Sequence, residues 1–177
     1  MEIVDLYDEE RRPLGLTAER HAPKAPGQYR LVVHVCYFDR RGRLLIQRRT
    51  ENKDLWPGRW DVSVGGGVDA GETSRQAAER EFREELGFPL DLTGVRQTVT
   101  WNFSEGFDDF FLVTGDLETS RLTLQPSEVA EIRWADQDTV EAMVDSGDFI
   151  PYPKGFLQFL FAQRDCFGLP GDPGSGR

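Results

Sequence analysis

Gly66 to Phe88 reads GGVDAGETSRQAAEREFREELGF, and its punctuation sets the fold expected around it. Thr73 with Gln76 three residues later has the form of a capping box, in which each side chain satisfies a backbone N–H at a helix start. Ser74 to Leu86 contains only good or neutral helix formers, and Gly87 stands where a left-handed C′ glycine would end the helix. The spacing therefore predicts a helix over Ser74–Leu86. Ala78, Phe82 and Leu86 recur at i, i+4 and i+8 and form an apolar stripe suited to anchoring that helix on a sheet.

Glu81, Glu84 and Glu85 stand at i, i+3 and i+4, so they share one helical face. Like charges on adjacent turns cost roughly 0.2 to 0.5 kcal/mol per pair in an isolated helix. Such a cluster reads either as a solvated acidic face or as a site for a divalent cation. Hard carboxylate oxygens suit Mg²⁺ or Mn²⁺, which in phosphoryl chemistry bridge protein and substrate phosphates. Arg80, four residues before Glu84, is placed to pair with that carboxylate and orient it.

Strand signals flank this helix on both sides. Leu31–Phe38 and Arg43–Gln47 read as a hairpin turning near Gly42, and Trp60–Val64 reads as a short strand entering a glycine loop at Gly65–Gly67. Val95–Trp101 and Asp109–Asp116 read as a second pair joined by a polar turn over Asn102–Asp108, in which Glu105, Asp108 and Asp109 read as solvated turn residues ahead of the alternative that they line the cleft. A strand at Ile132–Ala135 and helices near Thr139–Ser146 and Tyr152–Gln163 follow. Strands on both sides of one strong helix favour an α/β layered sandwich over an all-β domain. One domain over residues 1–168 is expected, with residues 1–30 as an edge strand or hairpin plus linker. The Gly/Pro-rich stretch 169–177 is expected to be a flexible tail.

Gly66, Glu72, Arg80, Glu81, Phe82, Glu84, Glu85, Gly87 and Phe88 match the Nudix box, G-x5-E-x7-R-E-U-x-E-E-x-G-U with U aliphatic or aromatic here, at every specified position. The chain thus resembles the Nudix hydrolases, sharply over Gly66–Phe88 and more loosely over Leu31–Ala135. The resemblance implies an α/β/α sandwich with a central mixed β-sheet. It also implies Mg²⁺- or Mn²⁺-dependent hydrolysis of a phosphoanhydride bond in a nucleoside diphosphate linked to another moiety. By the same resemblance Glu81, Glu84 and Glu85 are metal ligands, a Gly66 backbone carbonyl approaches the metal, and Glu72 supports the loop and helix. The general base is a box glutamate or one from a later loop. Glu128, before the tryptophan-bearing stretch ending at Trp134, is the outside candidate and reads otherwise as a solvated charge. Glu84, Glu85, Glu128 and Arg80 are accordingly the candidate catalytic residues.

Arg48, Arg49, Lys53 and Arg59 form a basic patch just before the box, which reads as a site for phosphates or a carboxylate of the substrate, or as ordinary surface charge. Trp56 and Trp60 flank Pro57-Gly58 and read as a stacking surface or as core. Arg48, Arg49 and Trp60 are the candidate substrate contacts. His34, inside an apolar strand, reads as a hydrogen-bonded structural histidine.

A net charge of −10 opposes nucleic acid and anionic membranes as partners. No apolar run approaches a membrane span, and the start lacks the pattern of a secretory signal, so a cytoplasmic protein acting on a small-molecule diphosphate is expected. A homodimer is common among the enzymes it resembles. Cys36 and Cys166 lie far apart and suggest neither a disulfide framework nor a zinc site. The segments LLIQRRT and DLWPGRW resemble isopentenyl-diphosphate isomerase. That enzyme, however, carries cysteines and a metal-binding histidine after the tryptophan, where this chain has WDVSVGGG. A non-catalytic Nudix module is the remaining alternative. ADP-ribose hydrolases often carry a proline some fifteen residues past the box, and Trp101–Gly106 has none.

Overall fold

The computed structural model describes residues 2–166, so the expected tail at 169–177 lies outside the described residues. Strand β1 (Ile3–Tyr7) and strand β2 (Pro13–Glu19) form an antiparallel hairpin of their own, with Val4 opposite Ala18. The polar segment expected as linker therefore contains a strand. Pro13 opens it, where its missing N–H costs no ladder bond, and its side chains are mostly exposed, which hides it from a hydrophobicity pattern.

Strand β3 (Arg30–Phe38) is the centre of the main sheet. Strand β4 (Leu44–Arg49) pairs with it only at Phe38 and Leu44, then splays away to receive strand β5 (Trp60–Asp61) on its antiparallel ladder. The freed edge of β3 takes strand β6 (Val64–Gly67), with Val35 opposite Val64 and Val32 opposite Gly67. The glycine run is thus strand rather than loop. A Cβ at Gly65 would strike the His34 ring and one at Gly66 the Glu81 carboxyl, so glycine here buys close approach of backbone to side chain.

Helix α1 (Ser74–Leu86) forms as expected, with the reciprocal Thr73–Gln76 capping box and Gly87 left-handed at φ 65°. Strand β7 (Val99–Phe103) and strand β8 (Gly106–Thr114) then pair with a tighter turn than expected, at Ser104-Glu105. Asp108 and Asp109 lie inside β8, which runs parallel to β3 from Arg30–Gly106 to Phe38–Thr114. Strand β9 (Val129–Ala135) closes the other side of β4, and helices α2 (Gln137–Ser146) and α3 (Lys154–Gln163) follow.

Alternation along β3 assigns the two faces. Val33, Val35 and Tyr37 pack with Ala77, Ala78, Phe82 and Leu86 of α1. Cys36 and Phe38 pack with Val140 and Met143 of α2 and Leu157, Leu160 and Phe161 of α3. The result is an α/β/α sandwich around a mixed sheet. Among the described residues no helix is long and apolar enough to cross a membrane.

Candidate active site

With its apolar stripe buried, α1 turns its glutamates toward β6 and the loop after β4. Arg80 organises this corner. Its guanidinium forks onto Glu72 at 2.9 and 2.9 Å, donates to the Gly67 carbonyl at 3.0 Å, and reaches Glu81 at 2.9 Å and Glu84 at 3.3 Å. One planar cation thereby ties strand, loop and helix together. Burial alone would raise the Glu72 pKa, but the Arg80 fork and a backbone N–H hold it below the ordinary carboxylate value.

Glu81, Glu84, Glu85 and Glu128 line a single cleft of 120 Å³, with Gly66 and Arg80 in its wall. Burial raises the pKa of Glu81 despite Arg80. Glu85 is only 5% exposed, and burial, reinforced by Glu81 and Glu128, pushes it up to about 8 against a 3.0 Å hydrogen bond donated by Gln47. Glu128 arrives from the segment before β9 and is paired with Lys53. Among the described residues, no three acidic, histidine or cysteine side chains are already drawn together at metal-binding spacing. Arg80 and Lys53 draw Glu81, Glu84 and Glu128 into ion pairs instead. The donors are nonetheless of one kind. Oxygen ligands around a small cavity, with two carboxylates pushed toward protonation by burial, fit a hard divalent cation.

A second cavity of 330 Å³ shares Arg20, Lys53, Gly65 and Gly66 with the first. Arg49 and Trp56 line it, and its floor is a buried polar chain. His34 Nδ1 lies 2.7 Å from Asp108, the Tyr152 hydroxyl donates to Asp61 at 3.0 Å, and Arg49 stands 3.6 Å from Asp61. The His34 ring stacks on Phe110 at 4.8 Å. Burial works against its charge, yet Asp108, and behind it Asp61 and Glu85, raise its pKa to about 9.

Not every expected contact faces these cavities. Arg48 precedes Arg49 on β4, so it points to the opposite side, 3.9 Å from both Glu51 and Glu131. Trp60 is buried in the core under the Arg133 guanidinium, 4.4 Å from its ring, while Trp56, held at φ 52°, is the tryptophan that lines the cavity. Asp108 and Asp109 are not solvated turn residues: one bonds His34, and the other is fully buried. Arg20 and Arg30 also line the larger cavity and carried no sequence signal beyond their charge. A pair of aspartates inside the apolar run GFDDFFLV was the available sign that β8 extends through them.

A model of the NUDIX domain matches residues 28–154. The chain belongs to the Nudix hydrolase family. Over 94% of this Nudix chain and 97% of the relative, it is 48% identical to an uncharacterised Nudix hydrolase of Listeria monocytogenes. It is also 37% identical to an isopentenyl-diphosphate Δ-isomerase of Streptomyces griseus, over 98% of this chain and 89% of that one. A crystal structure from Deinococcus radiodurans shares the Nudix fold, with a TM-score of 0.71 at 24% identity over 90% of this chain and 97% of the other.

Proposed function

We propose that this Nudix chain hydrolyses a phosphoanhydride bond in a nucleoside diphosphate linked to another moiety, with Mg²⁺, or Mn²⁺ in its place, held by Glu81, Glu84 and Glu85. The observation that carries this reading is a carboxylate cleft that shares its wall, at Arg20, Lys53, Gly65 and Gly66, with a cation-lined cavity. Burial raises the pKa of Glu81 even beside Arg80, and that of Glu85, whose hydrogen bond comes from the neutral Gln47, and a cation bound among them would favour both carboxylates. When bound, such a metal neutralises the diphosphate and acidifies a water.

The remaining work falls to the chain itself. Glu84, half-exposed and paired with Arg80, and Glu128, paired with Lys53, are the carboxylates placed to accept a proton from the attacking water. Arg80 keeps Glu81 and Glu84 oriented and, through Glu72, fixes the loop against the helix. Arg49 and Lys53 offer positive charge to the substrate beyond the cleft, and Trp56 offers a stacking face.

The isomerase relative gives a second reading its interest, and cysteine placement weighs against it. Cys36 is fully buried on the α2/α3 side, its thiol pushed far up by burial, and neither Cys36 nor Cys166 lines either cavity. The test is a Mg²⁺-dependent turnover screen over nucleoside di- and triphosphates, nucleotide sugars, dinucleoside polyphosphates and coenzyme A derivatives, with isopentenyl diphosphate as a further arm. Hydrolysis of at least one nucleotide class, reduced by orders of magnitude in Glu84→Gln, is expected. Folded protein that turns over no member, or that yields allylic product instead, overturns the proposal.

A further inference from the structure

The hairpin of β1 and β2 lies outside the segment matched by the family, yet Arg20, the residue after it, lines both cavities, and Glu2, the residue before it, lines the smaller one. Its β1 strand braces the loop before α1: the Ile3 carbonyl accepts the Ala70 N–H at 2.8 Å, and Asp5 accepts the Gly71 N–H at 2.7 Å. At its turn, Arg11, strained at φ 62°, forks onto the fully buried Asp109, which also accepts from Ser74 at 2.5 Å and Thr100 at 2.6 Å. The hairpin is therefore clipped to β8 and to the first turn of α1.

Just past β2, Arg20 bonds Glu2 at 2.5 Å and lays its guanidinium against Gly67, where a side chain would crowd it. Arg20 stands in the wall common to the cleft and the larger cavity, and Arg30 lines the larger cavity beside it. Arg30 stacks over Phe103 at 5.3 Å and pairs with the exposed Glu105 at 3.5 Å. Among the described residues, the buried Nε of Arg20 and the buried Nε and Nη1 of Arg30 have no hydrogen-bond partner. Burial first, and the neighbouring charge of Arg20 second, lower the pKa of Arg30. Two guanidiniums lining one cavity, each with a donor left unmatched, are an arrangement that an oxyanion resolves, because each fork can bind phosphate or carboxylate oxygens two at a time.

We propose that Arg20 and Arg30 form an oxyanion-binding subsite of the substrate, so that the first hairpin is an integral part of the active site. This rests on the hydrolase reading, since it assigns to the substrate a phosphate or carboxylate group beyond the phosphoryl group held at the glutamates. Arg11 is a positioning residue that acts through the hairpin on Arg20.

The test is calorimetric titration of the full chain, stripped of metal on a chelating resin, with inorganic tripolyphosphate and, in a parallel arm, with citrate. Tighter binding of tripolyphosphate assigns the site to phosphate, and tighter binding of citrate assigns it to carboxylate. Arg20→Ala and Arg30→Ala are each expected to weaken the preferred anion at least tenfold, with Arg20→Lys in between because it keeps the charge and loses the fork. Arg11→Ala should weaken it severalfold, and Arg11→Ala with Arg20→Ala should bind no more weakly than Arg20→Ala alone. A purely structural role for Arg11 would give additive losses instead. Wild-type protein that binds neither anion, or Arg20→Ala protein that binds as wild type does, overturns the subsite. Nucleotide turnover is scored separately. Anion binding lost in the variants of a chain that hydrolyses nothing leaves the subsite standing and removes the hydrolase. Hydrolysis with an unchanged KM in Arg20→Ala does the reverse.

Discussion

Glu85 occupies a position that carboxylates ordinarily avoid, almost fully buried beside two other glutamates with one amide to bond it. Its free energy is poor in the folded chain and useful only if a cation arrives, which is the usual sign of stability traded for function. Glu85→Gln keeps the shape and the Gln47 hydrogen bond while removing the buried charge. Metal-free Glu85→Gln protein at pH 8 is expected to melt at or above the wild-type temperature while its kcat falls by orders of magnitude, because a carboxylate that holds the cation is lost. A variant that loses stability and keeps its rate contradicts this. His34 offers a test in pH. Its folded pKa near 9 exceeds the ordinary 6.5, so the folded state binds the extra proton between those values. The stabilisation is complete below about pH 6.5, declines as pH rises, and is lost beyond about 9. Urea unfolding across that window should show stability falling for the wild type, with His34→Gln removing that contribution; an identical slope in the two proteins refutes it.

At the scale of elements, α1 was readable because its signals are local. Cap, stripe and terminal glycine fall within one stretch of chain, and each constrains the same backbone. Thr73→Ala should cost about 0.5 to 2 kcal/mol of stability, measured by chemical denaturation, because the Gln76 backbone N–H loses its acceptor. The β6 glycines were harder to read. Glycine signals a turn in isolation, and only the placement of His34 and Glu81 against Gly65 and Gly66 explains why they form a strand here. The same limit applies to Arg48 against Arg49 and to Trp60 against Trp56: composition marks the patch, while strand alternation and the splay of β4 decide which side chain meets the cavity. Asp61, Asp108, Tyr152 and Arg20 come to the site from four separate segments, and no spacing within the sequence links them.

For the molecule as a whole, charge is distributed against its net sign. A chain of net charge −10 gathers Arg20, Arg30, Arg49 and Lys53 around one cavity, and that concavity focuses attraction for an anion that the rest of the surface would repel. Raising the ionic strength from about 0.01 M to about 1 M shortens the screening length from about 30 Å to about 3 Å. KM for a nucleotide substrate is therefore expected to rise with salt while kcat changes little. A KM indifferent to salt would mean that these cations serve their own ion pairs and not the substrate.

The cation among the glutamates is the claim on which the rest depends, and Mn²⁺ binding followed by electron paramagnetic resonance tests it without reference to any substrate. The wild-type chain is expected to remove free Mn²⁺ from solution at a site competed by Mg²⁺, with affinity falling at least tenfold in the Glu84→Gln/Glu85→Gln double variant. Equal Mn²⁺ binding by the wild-type and double-variant proteins, both folded, would contradict it.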